Sequence, residues 1–187
     1  MESDCVLLVI VAMLSAATSA TEDSQPLAKA DKGFAQCYEP DDDAKTCQSI
    51  ATYKKTTDGN WENTALVLIS HTQPVTLETV SLVSVKNGAV CGYVRADDVM
   101  KGTLRFSGQP LPSEKAAAVL PKIAESMASV FDKEICTRYL PGPDGLLVTK
   151  ATIEGGKPEI PEQRVKWVLP SDGYTVAPAP AHTAPAE

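Results

Sequence analysis

The chain carries one long helix signal against seven strand signals, and that imbalance restricts its possible folds more than any other feature. The helix is written in Ser113 to Lys133, where Ala116, Leu120, Ile123, Met127, Val130 and Phe131 recur along one side of a 3.6-residue spiral. Ser113 can cap the first turn, and Glu114 suits the positive end of the helix dipole. Pro121 withholds the N–H that would reach the Ala117 carbonyl, so a kink is expected there. A stripe of this kind packs a core far more often than it binds a cofactor, and no cofactor is expected.

Four strand signals precede the helix: Ser49 to Thr56, Trp61 to Ser70, Val75 to Lys86 and Ala89 to Arg95. Asp58-Gly59-Asn60 and Asn87-Gly88 offer positive-φ positions for tight turns, which predicts an antiparallel meander. Trp61 to Ser70 is apolar on both faces and belongs in mid-sheet. In the next run the apolar phase shifts from Val75 and Leu77 to Val80 and Leu82, so a bulge or bend is expected near Thr79. Ala96 to Gly102 reads as a helical turn capped by Asp97. Three strands then follow the helix, Ile135 to Leu140, Leu146 to Glu154 and Gln163 to Leu169.

Seven strands at about 4.8 Å spacing make a flat sheet some 30 Å wide, which one helix about 10 Å across cannot cover. The expectation is therefore an α+β fold: a curved antiparallel sheet of about seven strands, ordered meander, long helix, strands, and packed around one main kinked helix.

The apolar run Val6 to Leu14, followed by Thr18-Ser19-Ala20, reads as a signal peptide over residues 1–20 and is too short to span a bilayer. Glu2 and Asp4 are unusual there, since such leaders start basic. Residues 21–32 are expected to be a flexible lead-in, 33–176 a single disulfide-stabilised α+β domain, and 177–187 a disordered Ala/Pro-rich tail. Behind the leader stand Cys37, Cys47, Cys91 and Cys136, an even count that points to two bridges. Pairing Cys37 with Cys47 and Cys91 with Cys136 would contribute about 3 and about 4 kcal/mol in the loop-entropy picture. With no Asn-x-Ser/Thr sequon in the chain, a periplasmic or secreted location is expected. No transmembrane segment should remain after cleavage.

Lys and Arg total 17 against 24 Asp and Glu, for a net charge of −7, which argues against a nucleic-acid partner. No GxSxG, HExxH or P-loop pattern occurs, and the cysteine spacing suits neither CxxC redox chemistry nor a zinc knuckle. No metal is expected. The acidic segment Glu39 to Asp43 lacks the alternating ligands and glycine turn of a calcium loop and reads as a solvated turn. His71, in a connection, and His182, in the tail, read as surface residues.

Arg95, Asp97 and Asp98 form the one compact cluster of opposite charges at a strand end, and Arg164 with Lys166 marks a basic stretch on the last strand. These five are the candidate binding residues, and no catalytic residue is assigned. The function expected is a non-catalytic exported domain that binds a small ligand or an envelope partner. The alternatives are a small hydrolase using Asp97 and Asp98 as paired carboxylates, or a purely structural envelope protein.

Overall fold

A computed structural model describes residues 25–70 and 72–178. Among the described residues twelve strands are formed: β1 (Ala35–Tyr38), β2 (Thr46–Cys47), β3 (Ser49–Lys55), β4 (Trp61–Leu68), β5 (Val75–Lys86), β6 (Ala89–Tyr93), β7 (Thr103–Phe106), β8 (Gln109–Pro110), β9 (Glu134–Pro141), β10 (Leu147–Ile153), β11 (Arg164–Val168) and β12 (Thr175–Val176). Two α-helices, α1 (Ala96–Met100) and α2 (Ser113–Ser126), lie between β6 and β9.

Eight strands close into an antiparallel barrel in the order β1, β3, β4, β5, β6, β9, β10, β11, with β11 returning to β1. Each strand pairs with its predecessor around the ring, so the connectivity is up-and-down. This overturns the expectation of an open sheet curved around a helix. The reasoning about width holds, because a sheet this wide cannot stay flat under one helix. The bending, however, goes on to closure, which removes both edges and buries one face of every strand without a covering layer. The strand that completes the ring is β1, whose four residues carry no periodic signal; without it β3 and β11 have no common neighbour.

Helix α2 accordingly stands against one end of the barrel, on a residue that β5 turns inward. Its Leu120 and Ile123 meet Leu77, Val99 and Leu104, contributed by β5, α1 and β7, with Met127 and Phe131 at the margin. The helix runs through Pro121 but stops at Ser126, short of the expected Lys133. A 3-10 turn follows, and Asp132 adopts φ 56° as the chain turns into β9. Pro112 stands at the N-cap position, and Ser113 makes no capping bond.

Continuous register fixes which side chains face inward. Gln36 lies opposite Ala51 and Trp167, Tyr53 opposite Asn63, Asn63 opposite Ser81, and Val83 opposite Gly92. Residues paired directly across an antiparallel ladder share a face. Odd-numbered residues of β4 and β5 therefore point into the barrel. The ladder between them runs unbroken from Trp61 with Val83 to Leu68 with Thr76, so the bulge expected at Thr79 is absent against β4. The shift in apolar phase has another source: Val80 and Leu82 point outward and are 49% and 62% exposed.

One end of the barrel is packed shut. Trp61 and Val90 form a core with Tyr53, Val83, Tyr139 and Trp167, and Leu27 and Ala30 of the N-terminal segment complete it. Leu27 is 1% exposed, so residues 25–32 are a plug, contrary to the flexible lead-in expected of them. The expected signal peptide, residues 1–20, lies outside the described residues, as do His71, His182 and the tail from 179 onward.

Both disulfides close. Cys37–Cys47 lies outside the barrel wall with Ala35 and Val168, and Cys91–Cys136 joins directly opposed positions of β6 and β9. A parallel pair, β2 with β12, ties the C-terminal segment over the first bridge, and the Ala177 N–H donates to the Cys47 carbonyl.

Candidate functional site: a half-filled barrel with a gap in its wall

Beyond the packed end, the side chains become too small to fill the interior. On β4 the inward residues after Trp61 are Asn63 and Ala65, and on β5 those preceding Val83 are Ser81 and Thr79. Gly92 on β6 has no side chain to offer, and a Cβ there would stand 2.9 Å from Val83 Cγ1. Two adjoining hollows result, of about 190 and 240 Å³, sharing Asn63, Ser81, Tyr93 and Val94 in their walls.

The lower hollow has one polar side, set among Val83, Val90, Val94 and Ile135. Tyr38, Tyr53 and Tyr139 line it from three strands that lie apart in sequence, and their hydroxyls meet around the Gln36 side chain beneath. Tyr38 and Tyr53 donate to Gln36 Oε1 at 3.0 and 2.7 Å, and the Tyr38 and Tyr139 oxygens are 2.7 Å apart. Because Tyr38 spends its proton on Gln36, Tyr139 is the donor in that last pair. Burial pushes the Tyr38 and Tyr53 phenols well above their ordinary value, reinforced by the neighbouring phenols; burial raises Tyr139 as well. The floor is therefore neutral. Gln36 is 0% exposed, and its Nε2 has no hydrogen-bond partner among the described residues.

The upper hollow is mainly apolar, walled by Ala65, Val67, Ile69, Leu77, Val94, Val99 and Met127. Val67 and Ile69 line it and are each 38% exposed. Charge enters at the rim through Arg95 and Asp98.

The wall beside this hollow has a break. On the edge of β5 away from β4, residues 75–78 pair with β7 and residues 83–86 with β6, leaving Thr79 to Leu82 without a strand on that side. A shallow external hollow of about 210 Å³ lies over the break and shares Ser81, Tyr93, Arg95 and Asp98 with the upper interior. Its lips are Val80, Leu82 and Tyr93, with the Arg95 guanidinium 5.7 Å from the Tyr93 ring centre.

Of the five residues proposed from sequence, the structure brings Arg95 and Asp98 together at this opening. Asp97 points elsewhere: its side chain is 84% exposed, 3.8 Å from Lys101, and makes no capping bond. Arg164 and Lys166 sit on the outer face of β11. Arg164 holds Glu39 at 2.9 Å, and Lys166 holds both oxygens of Asp42 at 2.8 Å and Tyr174 at 3.1 Å. They pin the acidic turn to the barrel and take no part in the interior. The Lys166 ammonium keeps the Asp42 carboxyl below its usual range, and Asp42 in turn raises Lys166. Among the described residues no group of three or more His, Cys, Asp or Glu side chains could hold a metal ion, and no helix is long and apolar enough to cross a membrane.

Sequence reasoning did not single out Gln36, Tyr38, Tyr53 and Tyr139. The available signal was three tyrosines in an aromatic-poor chain, two of them within strand-forming stretches, but nothing local says that they converge. No family model, curated protein or solved structure matches this chain.

Proposed function

We propose that this protein is an exported, non-catalytic carrier that holds one small molecule inside its barrel, with the polar part on the tyrosine floor and the apolar part in the upper hollow. The observation that carries the reading is the change in side-chain size along β4 and β5. Bulky residues pack one end, whereas Asn63, Ala65, Thr79 and Ser81 leave the other open. Eight-stranded barrels stand at the size where the interior is either filled by side chains or able to hold one small ligand. The two hollows together reach the lower part of the range, roughly 300–1,000 Å³, that small-molecule sites occupy. Two disulfides suit an oxidising compartment and support the exported part of the reading.

The hydrolase alternative needs two carboxylates working on one bond, and Asp97 and Asp98 diverge, so no observation favours it.

The neutral fluorophore N-phenylnaphthylamine tests the proposal. It should brighten on binding the wild-type protein, and Ala65→Trp, which puts an indole into the upper hollow, should weaken that binding at least tenfold while leaving the unfolding temperature near wild type. Retained binding in Ala65→Trp together with loss in Leu82→Ser would place the probe on the outer surface and overturn the proposal.

A further inference from the structure

A molecule held inside the barrel needs a way in, and most routes are costly. At the packed end Leu27, Ala30 and Trp61 belong to one core. At the half-filled end Leu77, which β5 turns inward, packs with Val99, Leu104, Leu120 and Ile123 of α1, β7 and α2. Opening either end exposes a core. Opening a seam breaks a ladder: seven residue pairs join β3 to β4, eight join β4 to β5 and seven join β9 to β10. Such events are local unfolding. The seam between β10 and β11 is short, pairing at Leu147 and Val148, but no residue of either strand lines the two interior hollows.

The break beside Thr79 to Leu82 differs, because no strand lies beyond those residues on that side. Ser81, Tyr93, Arg95 and Asp98 line both the outer hollow and the upper interior across it. Tyr93, 40% exposed, lines the lower hollow as well, so one ring borders all three spaces. The Arg95 guanidinium lies 5.7 Å from the centre of that ring and makes no ion pair among the described residues. Exposed side chains change rotamer within picoseconds to nanoseconds, far faster than a ladder or a core opens. We propose that the ligand enters and leaves sideways through this break, with Tyr93, steadied by Arg95, as the gate and Leu82 as the lip on β5. This inference rests on the carrier reading above and assigns the residues that govern ligand exchange.

A side chain that meets the ligand only in passage changes the barrier to entry and the barrier to exit equally, and so leaves affinity alone. Leu82 meets that condition: it lines the outer hollow and neither interior one. Stopped-flow mixing with N-phenylnaphthylamine gives the association rate, equilibrium titration gives Kd, and their product gives the dissociation rate. Leu82→Trp, which sets an indole at the break, should slow association and dissociation together by about three- to tenfold, with Kd held within about twofold. Tyr93→Ala, which removes the gate, should raise the association rate by a similar factor. Rates unchanged in both variants, with the probe still bound, overturn the gate and leave the carrier reading standing. Weakened affinity in Leu82→Trp at an unchanged association rate puts the probe on the outer lips and overturns both.

Discussion

Leu27→Ala should destabilise this protein as a core mutation does, although Leu27 precedes the first strand and lies in a polar stretch. The side chain is 1% exposed and closes the packed end of the barrel against Trp61, Val90 and Trp167. Leucine-to-alanine changes in cores cost about 2–5 kcal/mol, according to how far the surroundings can settle into the space left. Here the plug is a short segment beside a hollow of about 310 Å³ lined by Gln25, Pro26, Tyr139 and Leu147, so settling is feasible. The lower part of that range, about 2–3 kcal/mol, is expected. For a chain of this size that corresponds to a fall of roughly 5–10 °C in unfolding temperature. Urea unfolding followed by tryptophan fluorescence suits the question, because Trp61 and Trp167 both belong to the affected cluster. The midpoint should fall with little change in slope. Lys29→Ala, on the exposed side of the same segment, should stay within about 0.5 kcal/mol of wild type. If the two substitutions cost the same, residues 25–32 do not plug the barrel, and the account of its closed end is wrong.

The remaining predictions concern the wall, the floor and the bridges. Gly92→Ala should cost about 1–3 kcal/mol because its methyl would stand 2.9 Å from Val83 Cγ1, and Val83→Ala in the same chain should recover most of that loss; thermal unfolding of the three variants checks it. Stability should fall as pH rises above about 10. The folded state keeps the Tyr38 and Tyr53 protons that the unfolded chain has already released, so their contribution is intact below the ordinary phenol value and disappears as pH climbs through the raised folded values. Alkaline unfolding followed by tyrosinate absorbance should move to higher pH in Tyr53→Phe. Removing the Cys91–Cys136 bridge, which closes a separation of 45 residues, should cost about 1 kcal/mol more than removing Cys37–Cys47, which closes 10, as read from the unfolding of the paired Cys→Ala variants.

Local pattern carried most of the strands. Seven runs identified by alternation and turn residues correspond to β3, β4, β5, β6, β9, β10 and β11, and the Asn87-Gly88 turn joins β5 to β6. What local pattern could not carry was closure. Ala35–Tyr38 has only four residues and no alternation, because Gln36 faces a polar cluster inside while Ala35 and Cys37 are buried outside by the C-terminal segment. Without that strand the other seven make an open sheet, and an open sheet requires the helix as its cover. The exposed Val80 and Leu82 misled in the same way: their spacing suggests a bend, whereas they mark the place where β5 changes neighbours. The candidate site was half legible for a related reason. Arg95 and Asp98 lie three positions apart in sequence and announce themselves as a charge cluster. Gln36, Tyr38, Tyr53 and Tyr139 meet only because the ring closes, the two tyrosines that touch being 101 positions apart in sequence. Arg164 and Lys166 showed the opposite failure, since their partners Glu39 and Asp42 lie far away in the chain and use up the charge that seemed available.

Backbone amide shifts of the isotopically labelled protein titrated with acetophenone put the central claim, a closed barrel with an occupiable interior, to its most direct test. The account predicts alternation along one strand: Thr79 and Ser81 should move strongly, Asn63 and Ala65 on the facing strand should move with them, and Val80 and Leu82 should stay nearly still. Shifts confined to Val80 and Leu82, with their inward neighbours unmoved, would contradict it.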